Sequence, residues 1–65
     1  MRRFDPEKIK KRRMRLGMTQ LQLARAVGTA REYIAEIERG RSVPSATFIA
    51  KFADALSVKE SYFFA

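Results

Sequence analysis

Apolar residues recur at intervals of three and four along four stretches of this chain, and a glycine or serine follows each stretch. In residues 20–27, Leu23, Ala24 and Val27 form one apolar stripe, which is typical of an amphipathic helix. Gly28 comes directly after this stripe. Glycine readily takes the left-handed backbone conformation that ends a helix, so the pattern predicts a helix that stops at Gly28.

A second stripe begins immediately after this glycine. Thr29 is the expected cap, and Ile34 and Ile37 share one face of a helix from Ala30 to about Arg39. The residues expected on the opposite face are Glu32, Ala35, Glu36 and Arg39. Two short helices joined by a tight turn predict a helix-turn-helix, whose second helix presents an outer face to a partner.

One further helix is predicted before this pair. Asp5 and Pro6 are a start signal for a helix from Pro6 to about Leu16. Its inward face is expected to carry Ile9, Arg13 and Leu16. Thr19 and Gln22 then have the spacing of a capping box at the start of the next helix.

Another helix is predicted after the pair, from about Ala46 to Leu56 with Ser45 as its cap. Its expected core residues are Ile49, Phe52, Ala53 and Leu56. Ser57 stands where a glycine would end the helix more easily, which predicts either backbone strain or a different cap. Val58 is expected to point inward before a last short helix.

These motifs resemble the phage repressor and Cro type of helix-turn-helix proteins, also called the xenobiotic-response-element type. The matching motifs are R-x-x-x-G-M-T-Q from Arg13 to Gln20, L-A at Leu23, G-T at Gly28, and I-E-R-G from Ile37 to Gly40. The resemblance extends from Ile9 to Phe64. It implies an all-α, compact five-helix bundle that forms a single DNA-binding domain over residues 1–65.

The resemblance also implies roles for individual residues. In such proteins an arginine at the position of Arg13 commonly pairs with the glutamate at the position of Glu38, so this pair is expected to be structural. The residues expected along the DNA backbone are Arg13, Thr19, Gln20, Thr29, Arg39, Arg41 and Ser42. Pro44 and Ser45 match the start of the fourth helix.

The helix from Ala30 to Arg39 is the expected recognition helix, with its N-terminal half in the major groove. Arg31 can bond a guanine bidentately, and Glu32 and Glu36 can accept from a cytosine amino group. Tyr33 is expected to touch a sugar-phosphate or a thymine methyl. The alternative interpretation is a merely solvated helix face, on which Glu32 and Glu36 form a like-charge pair.

The positive net charge of the chain is consistent with a polyanionic partner. The chain has 14 Lys and Arg against seven Asp and Glu, a net charge of +7 and a pI near 10.6. Double-stranded DNA is the first candidate, while solubility and an anionic membrane surface are the alternatives. The basic run from Lys8 to Arg15, with Arg2 and Arg3 ahead of it, predicts phosphate contact from the first helix and its N-terminal arm, or equally a solvated face.

The 65-residue chain has no cysteine and no histidine, which excludes disulfides and Cys/His zinc sites. It also has no glycine-rich phosphate loop, so we expect no enzyme activity, no metal, no cofactor and no small-molecule ligand. No apolar run approaches the roughly 20 residues that cross a bilayer. Met1 leads into charged residues, which favours a cytoplasmic location.

Aromatic residues are frequent near the end of the chain. Phe48, Tyr62 and Phe64 exceed what one small core needs, so we expect some of them to form a homodimer interface. Such a symmetric dimer is expected to act as a repressor or another transcription regulator that binds an inverted repeat.

The motifs around Arg31 and Glu38 also resemble restriction-modification controller proteins. The alternative is an antitoxin-like or assembly module that binds another protein through these aromatic residues and DNA only weakly.

Overall fold

The computed structural model describes residues 3–65, which contain four α-helices and one short 3₁₀-helix. The helices are α1 (Pro6–Arg15), α2 (Gln20–Val27), α3 (Arg31–Glu38), α4 (Ala46–Leu56) and the 3₁₀-helix (Glu60–Phe63). The all-helical prediction is confirmed, but the predicted fifth α-helix is wrong. Four residues form only one 3₁₀ turn, which is too short to build an α-helical ladder. Met1 and Arg2, part of the predicted arm, lie outside the described residues.

Local capping signals lie at the helix starts and ends that the sequence predicts. The Asp5 side chain accepts a hydrogen bond from the Glu7 amide at 3.1 Å. Thr19 and Gln22 form the expected capping box, with bonds of 3.0 and 2.8 Å between their side chains and each other's amides. Gly28 ends α2 with a φ of 76°. These local bonds satisfy helix-end groups that would otherwise lack partners.

Thr29 is not the cap of α3, contrary to the prediction. Ala30 occupies that position, and no side chain caps the helix there. The Thr29 amide instead donates to the Ala24 carbonyl at 2.9 Å. Thr29 therefore belongs to the hydrogen-bonded end of α2, because a glycine in the left-handed conformation turns the next amide back onto the helix it terminates.

One hydrophobic core joins all five helical elements. Its buried members are Ile9, Leu23, Ala24, Val27, Ile34, Ile37, Ile49, Phe52, Ala53, Leu56 and Phe63. Val58 packs against this core, as predicted. The sequence predicts that Leu16 lies in the core, but it is 43% exposed, because α1 ends at Arg15 and Leu16 lies beyond it. Ala35 was expected outside but is buried, since a single methyl group is easily screened by its neighbours.

The two ends of the described chain lie side by side. The Asp5 amide donates to the Phe63 carbonyl at 2.7 Å, and the Ala65 amide donates to the Arg3 carbonyl at 2.8 Å. Phe4 and Phe64 form an isolated antiparallel bridge, and their rings meet edge to face at 6.2 Å. This bridge holds the 3₁₀-helix against α1 and keeps Phe63 fully buried.

Within residues 3–65, no helix is long and apolar enough to span a membrane.

Ser57 ends α4 in the left-handed conformation, with φ 56° and ψ 47°. It is the one non-glycine residue with a positive φ among residues 3–65. The Arg12 guanidinium supports the same helix end, because its Nε donates to the Leu56 carbonyl at 2.9 Å. The strain predicted from the sequence at Ser57 is therefore present.

Replacing Ser57 with glycine should stabilise the domain. Removing the Cβ relieves about 1–2 kcal/mol of left-handed strain, and the greater freedom of glycine in the unfolded chain offsets part of it, which leaves about 0.5–1 kcal/mol. For so small a domain, this raises the melting temperature by about 2–8 °C in thermal unfolding. Ser57→Ala is the control, since alanine keeps the Cβ. An equal gain for both variants would contradict the strain at this position.

Candidate nucleic-acid interface

The outer face of α3 is the open surface of the helix-turn-helix. Arg31, Glu32 and Arg39 are exposed on it, and Glu36 is half-buried. The tight turn at Gly28 sets α3 directly against α2, while Ile34 and Ile37 bury its opposite face in the core. No pocket is found within residues 3–65.

Arg13 and Glu38 form a buried ion pair beneath this surface. Nε of Arg13 donates to Oε2 of Glu38 at 2.7 Å, and Nη2 donates to Oε1 at 2.9 Å. Nη1 donates to the Met18 carbonyl at 2.8 Å. The two side chains are only 9% and 4% exposed. The structural pairing is thus confirmed, whereas the predicted contact of Arg13 with the DNA backbone is wrong, because its guanidinium is buried and engaged on all three nitrogens.

Gln20, the first residue of α2, links this ion pair to the surface. Its Nε2 donates to Oε1 of Glu38 at 3.1 Å, and its Oε1 accepts from Nη1 of Arg31 at 3.2 Å. The sequence predicts a phosphate contact for Gln20, but its side-chain amide is largely used within the protein. The backbone amides of the first turn of α2 still provide donors for a phosphate.

Each glutamate on the open face of α3 has an arginine beside it, Arg31 within the helix and Arg39 directly after its last residue. Nη2 of Arg31 lies 3.6 Å from Oε2 of Glu32, and Nη1 of Arg39 lies 3.8 Å from Oε1 of Glu36. All four side chains are at least 39% exposed, so these pairs contribute little to stability. They make the face electrically balanced, which lowers the attraction of α3 for phosphate irrespective of sequence.

Tyr33, another predicted base-reading residue of α3, contacts an aromatic residue of α4. Its ring is half-buried and meets Phe48 of α4 edge to face at 5.2 Å. Phe48 in turn packs on Phe52 at 6.0 Å, and Nζ of Lys51 lies 5.1 Å from the Phe48 ring. Tyr33 therefore joins α3 to α4, and its contact with a sugar-phosphate or a thymine methyl stays a prediction.

The predicted dimer surface is only partly exposed. Phe48 and Phe64 are half-buried, because they pack on Tyr33 and on Phe4 respectively. Tyr62 is 38% exposed, with Nζ of Lys8 5.5 Å from the centre of its ring. Phe48 and Phe64 thus close the edge of the core. Among residues 3–65, the large apolar side chains that are exposed are Met14, Leu16, Leu21, Val43 and Tyr62.

The remaining predicted backbone contacts lie around the two ends of α3 and at the start of α2. Arg39 and Arg41 are exposed beyond the C-terminal end of α3, and Ser42 is half-buried beside them. Thr19 is exposed and caps α2, and Thr29 is half-buried in the turn. In α1, Arg12 is held at the end of α4, whereas Lys10, Lys11 and Arg15 are exposed.

Comparisons with known proteins agree with this geometry. A family model described as Helix-turn-helix matches residues 9–63. The uncharacterized HTH-type transcriptional regulator YgzD of Bacillus subtilis (strain 168) is 40% identical over 52 residues, which are 80% of this chain and 79% of that protein.

Solved structures give the same result. The restriction-modification controller protein C.AhdI from Aeromonas hydrophila is 30% identical with a TM-score of 0.86, over 91% of this chain and 89% of that one. The P22 c2 repressor bound to a synthetic operator is 26% identical with a TM-score of 0.88, over 94% and 92%. SinR, a master regulator for biofilm formation solved with DNA, is 32% identical with a TM-score of 0.80, over 85% and 89%.

Proposed function

Because this chain belongs to the helix-turn-helix family of DNA-binding transcriptional regulators, we propose that it binds an inverted-repeat operator as a homodimer and reads its sequence. The observation that carries the proposal is the open face of α3, where Arg31 and Glu32 are exposed beside the N-terminus of α2. The net charge of +7 supplies the general attraction to DNA. Such a regulator works in the cytoplasm.

Base reading is assigned to three side chains of α3. With the N-terminal half of α3 in the major groove, Arg31 donates to O6 and N7 of a guanine. Glu32 and Glu36 each accept from the exocyclic amino group of a cytosine. The backbone contacts come from the surrounding positions Thr19, Gln20, Thr29, Arg39, Arg41 and Ser42, with Gln20 acting through its main-chain amide.

Two copies are proposed because one α3 reaches too few base pairs to select a site. A single small DNA-binding module buries only about 600–1,000 Å² of its own surface, whereas a pair of half-sites one helical turn apart doubles the contacts. Exposed Tyr62 supports a self-association surface, and half-buried Phe48 and Phe64 are its other expected members. Concentration-dependent sedimentation at micromolar protein tests this step.

Selection from random duplexes tests the proposal as a whole. The purified protein is incubated with the pool at near-physiological salt, and the bound duplexes are recovered and sequenced. An enriched inverted repeat is the expected result. Binding without enrichment would indicate attraction by charge alone, and no binding would favour the alternative of a protein-docking module. Either of these two outcomes contradicts the proposal.

Replacing Glu36 with alanine should relax discrimination at a single base pair. The variant loses one acceptor for a cytosine amino group, so preference at that pair falls by about 1–3 kcal/mol while the other positions stay unchanged. Removing the negative charge also frees Arg39 and strengthens binding to unrelated duplexes. The measurement is a set of binding curves on single-substitution operators, with Glu60→Ala as the matched control on the 3₁₀-helix. Unchanged preference at every position would refute the assignment of Glu36.

A further inference from the structure

We propose that Gln20 is a positioning residue that fixes the base-reading orientation of Arg31, with buried Glu38 as its anchor. This inference rests on the proposed function, since it concerns the same DNA-reading face. The four side chains Arg13, Glu38, Gln20 and Arg31 form one continuous hydrogen-bonded series from the core to the surface. Base preference at the position of Arg31 therefore depends on residues that touch no base.

The chemistry of the series allows only one orientation of the Gln20 amide. The Glu38 carboxylate is paired with Arg13 and can only accept, so the Gln20 atom that faces it at 3.1 Å must be the donor Nε2. The guanidinium of Arg31 can only donate, so the atom that faces it at 3.2 Å must be the acceptor Oε1. Reversing the amide would lose both bonds at once. Each end of the series thus specifies the same arrangement.

The anchor of the series is rigid, whereas the residue it positions is not. Glu38 is 4% exposed and bound twice by Arg13, so its Oε1 is a fixed point. The side chain of Arg31 is 49% exposed and has several rotatable bonds. Gln20 Oε1 at one guanidinium nitrogen and Glu32 Oε2, 3.6 Å from the other, hold it from two sides before DNA arrives.

A pre-positioned guanidinium raises selectivity as well as affinity. An arginine offers five N–H donors, and Gln20 uses one of them, which leaves enough for the two bonds to a guanine. An unsupported arginine can turn to a neighbouring phosphate or to another base, and it loses more side-chain entropy when it binds. Fixing it in one orientation restricts its partner to one base pair.

The test exchanges Gln20 for methionine, which has nearly the same shape and cannot make either hydrogen bond. A well-placed bidentate arginine provides roughly five- to 140-fold discrimination, and we expect the discrimination at the base pair read by Arg31 to fall to about a fifth of its value. Discrimination at the position of Glu36 and the dependence of affinity on salt should not change. Gln22→Met is the matched control, because it weakens the same helix through the capping box and leaves Arg31 untouched.

A double-mutant cycle separates positioning from a direct role. When Arg31 is already alanine, Gln20→Met should have no further effect on discrimination, because the residue that it orients is gone. An equal loss on all duplexes would show a phosphate contact of Gln20 and overturn the inference, as would unchanged discrimination. If the unmodified protein selects no sequence at all, the proposed function fails together with the inference. Selection that survives Gln20→Met intact refutes the inference alone.

Discussion

Replacing Glu38 with glutamine is expected to lower the free energy of unfolding by about 3 kcal/mol, because the substitution leaves the Arg13 charge buried without its counter-ion. The two carboxylate oxygens now accept from Arg13 at 2.7 and 2.9 Å, and the side chains are almost fully shielded from water. An amide of the same shape keeps the packing but accepts at one atom only. For a domain of this size, the melting temperature falls by roughly 12–24 °C.

Thermal and urea unfolding measured by circular dichroism check this result. Glu36→Gln is the matched control, since Glu36 pairs with Arg39 at 3.8 Å on the exposed face of α3 and should change the stability by less than about 1 kcal/mol. A second variant, Arg13→Met with Glu38→Leu, removes both charges and should recover part of the loss, because no buried charge is left unpaired. A melting temperature that hardly moves for Glu38→Gln would show that the pair is not structurally important.

Replacing Arg31 with alanine is expected to remove most sequence-specific binding. A bidentate contact to guanine provides about 1–3 kcal/mol of discrimination per half-site, and a dimer makes it twice. The operator affinity should therefore fall by about 2–6 kcal/mol, or roughly thirtyfold to twenty-thousandfold. Binding to an unrelated duplex should weaken only slightly, since the remaining basic residues still attract phosphate.

The measurement compares binding titrations of the protein with the selected operator and with a scrambled duplex of the same length, at the same salt concentration. Arg25→Ala is the control, because it removes an equal charge from an exposed position of α2 that has no proposed base contact. Its effect should be small and the same on both duplexes. If Arg31→Ala weakened both duplexes equally, the arginine would be a phosphate contact and not a reader of guanine.

The sequence predicts those features of the fold that short-range chemistry determines. Asp5, Thr19 with Gln22, Gly28 and Ser45 act within three residues of a helix end, so their capping roles follow from spacing alone. The apolar stripes of α2, α3 and α4 likewise place Leu23, Ile37 and Phe52 in the core. The wrong capping prediction concerns Thr29, which follows Gly28, because the sequence of this turn is consistent with either the end of α2 or the start of α3.

Features that depend on packing between distant elements are less predictable. In the sequence, Phe48 and Phe64 exceed what the core needs. In the structure, Phe48 packs on Tyr33 and Phe64 packs on Phe4. The sequence gives Arg13 a pattern consistent with either an ion pair or a phosphate contact, and burial decides between them. Gln20 lies 18 residues from Glu38 and 11 from Arg31, so no local pattern indicates their hydrogen bonds. The base-reading assignments themselves remain predictions.

The pairing of residues 3–5 with residues 63–65 has a consequence for the connectivity of the chain. Since the two segments are hydrogen-bonded neighbours, a short glycine-rich peptide could join them into a ring without moving any helix. The order of the helices along the polypeptide is then separable from their arrangement in space. Cutting this ring in the loop of residues 40–45 would give a circular permutant. Its chain would begin at α4 and end with α3, while the tertiary structure stayed the same.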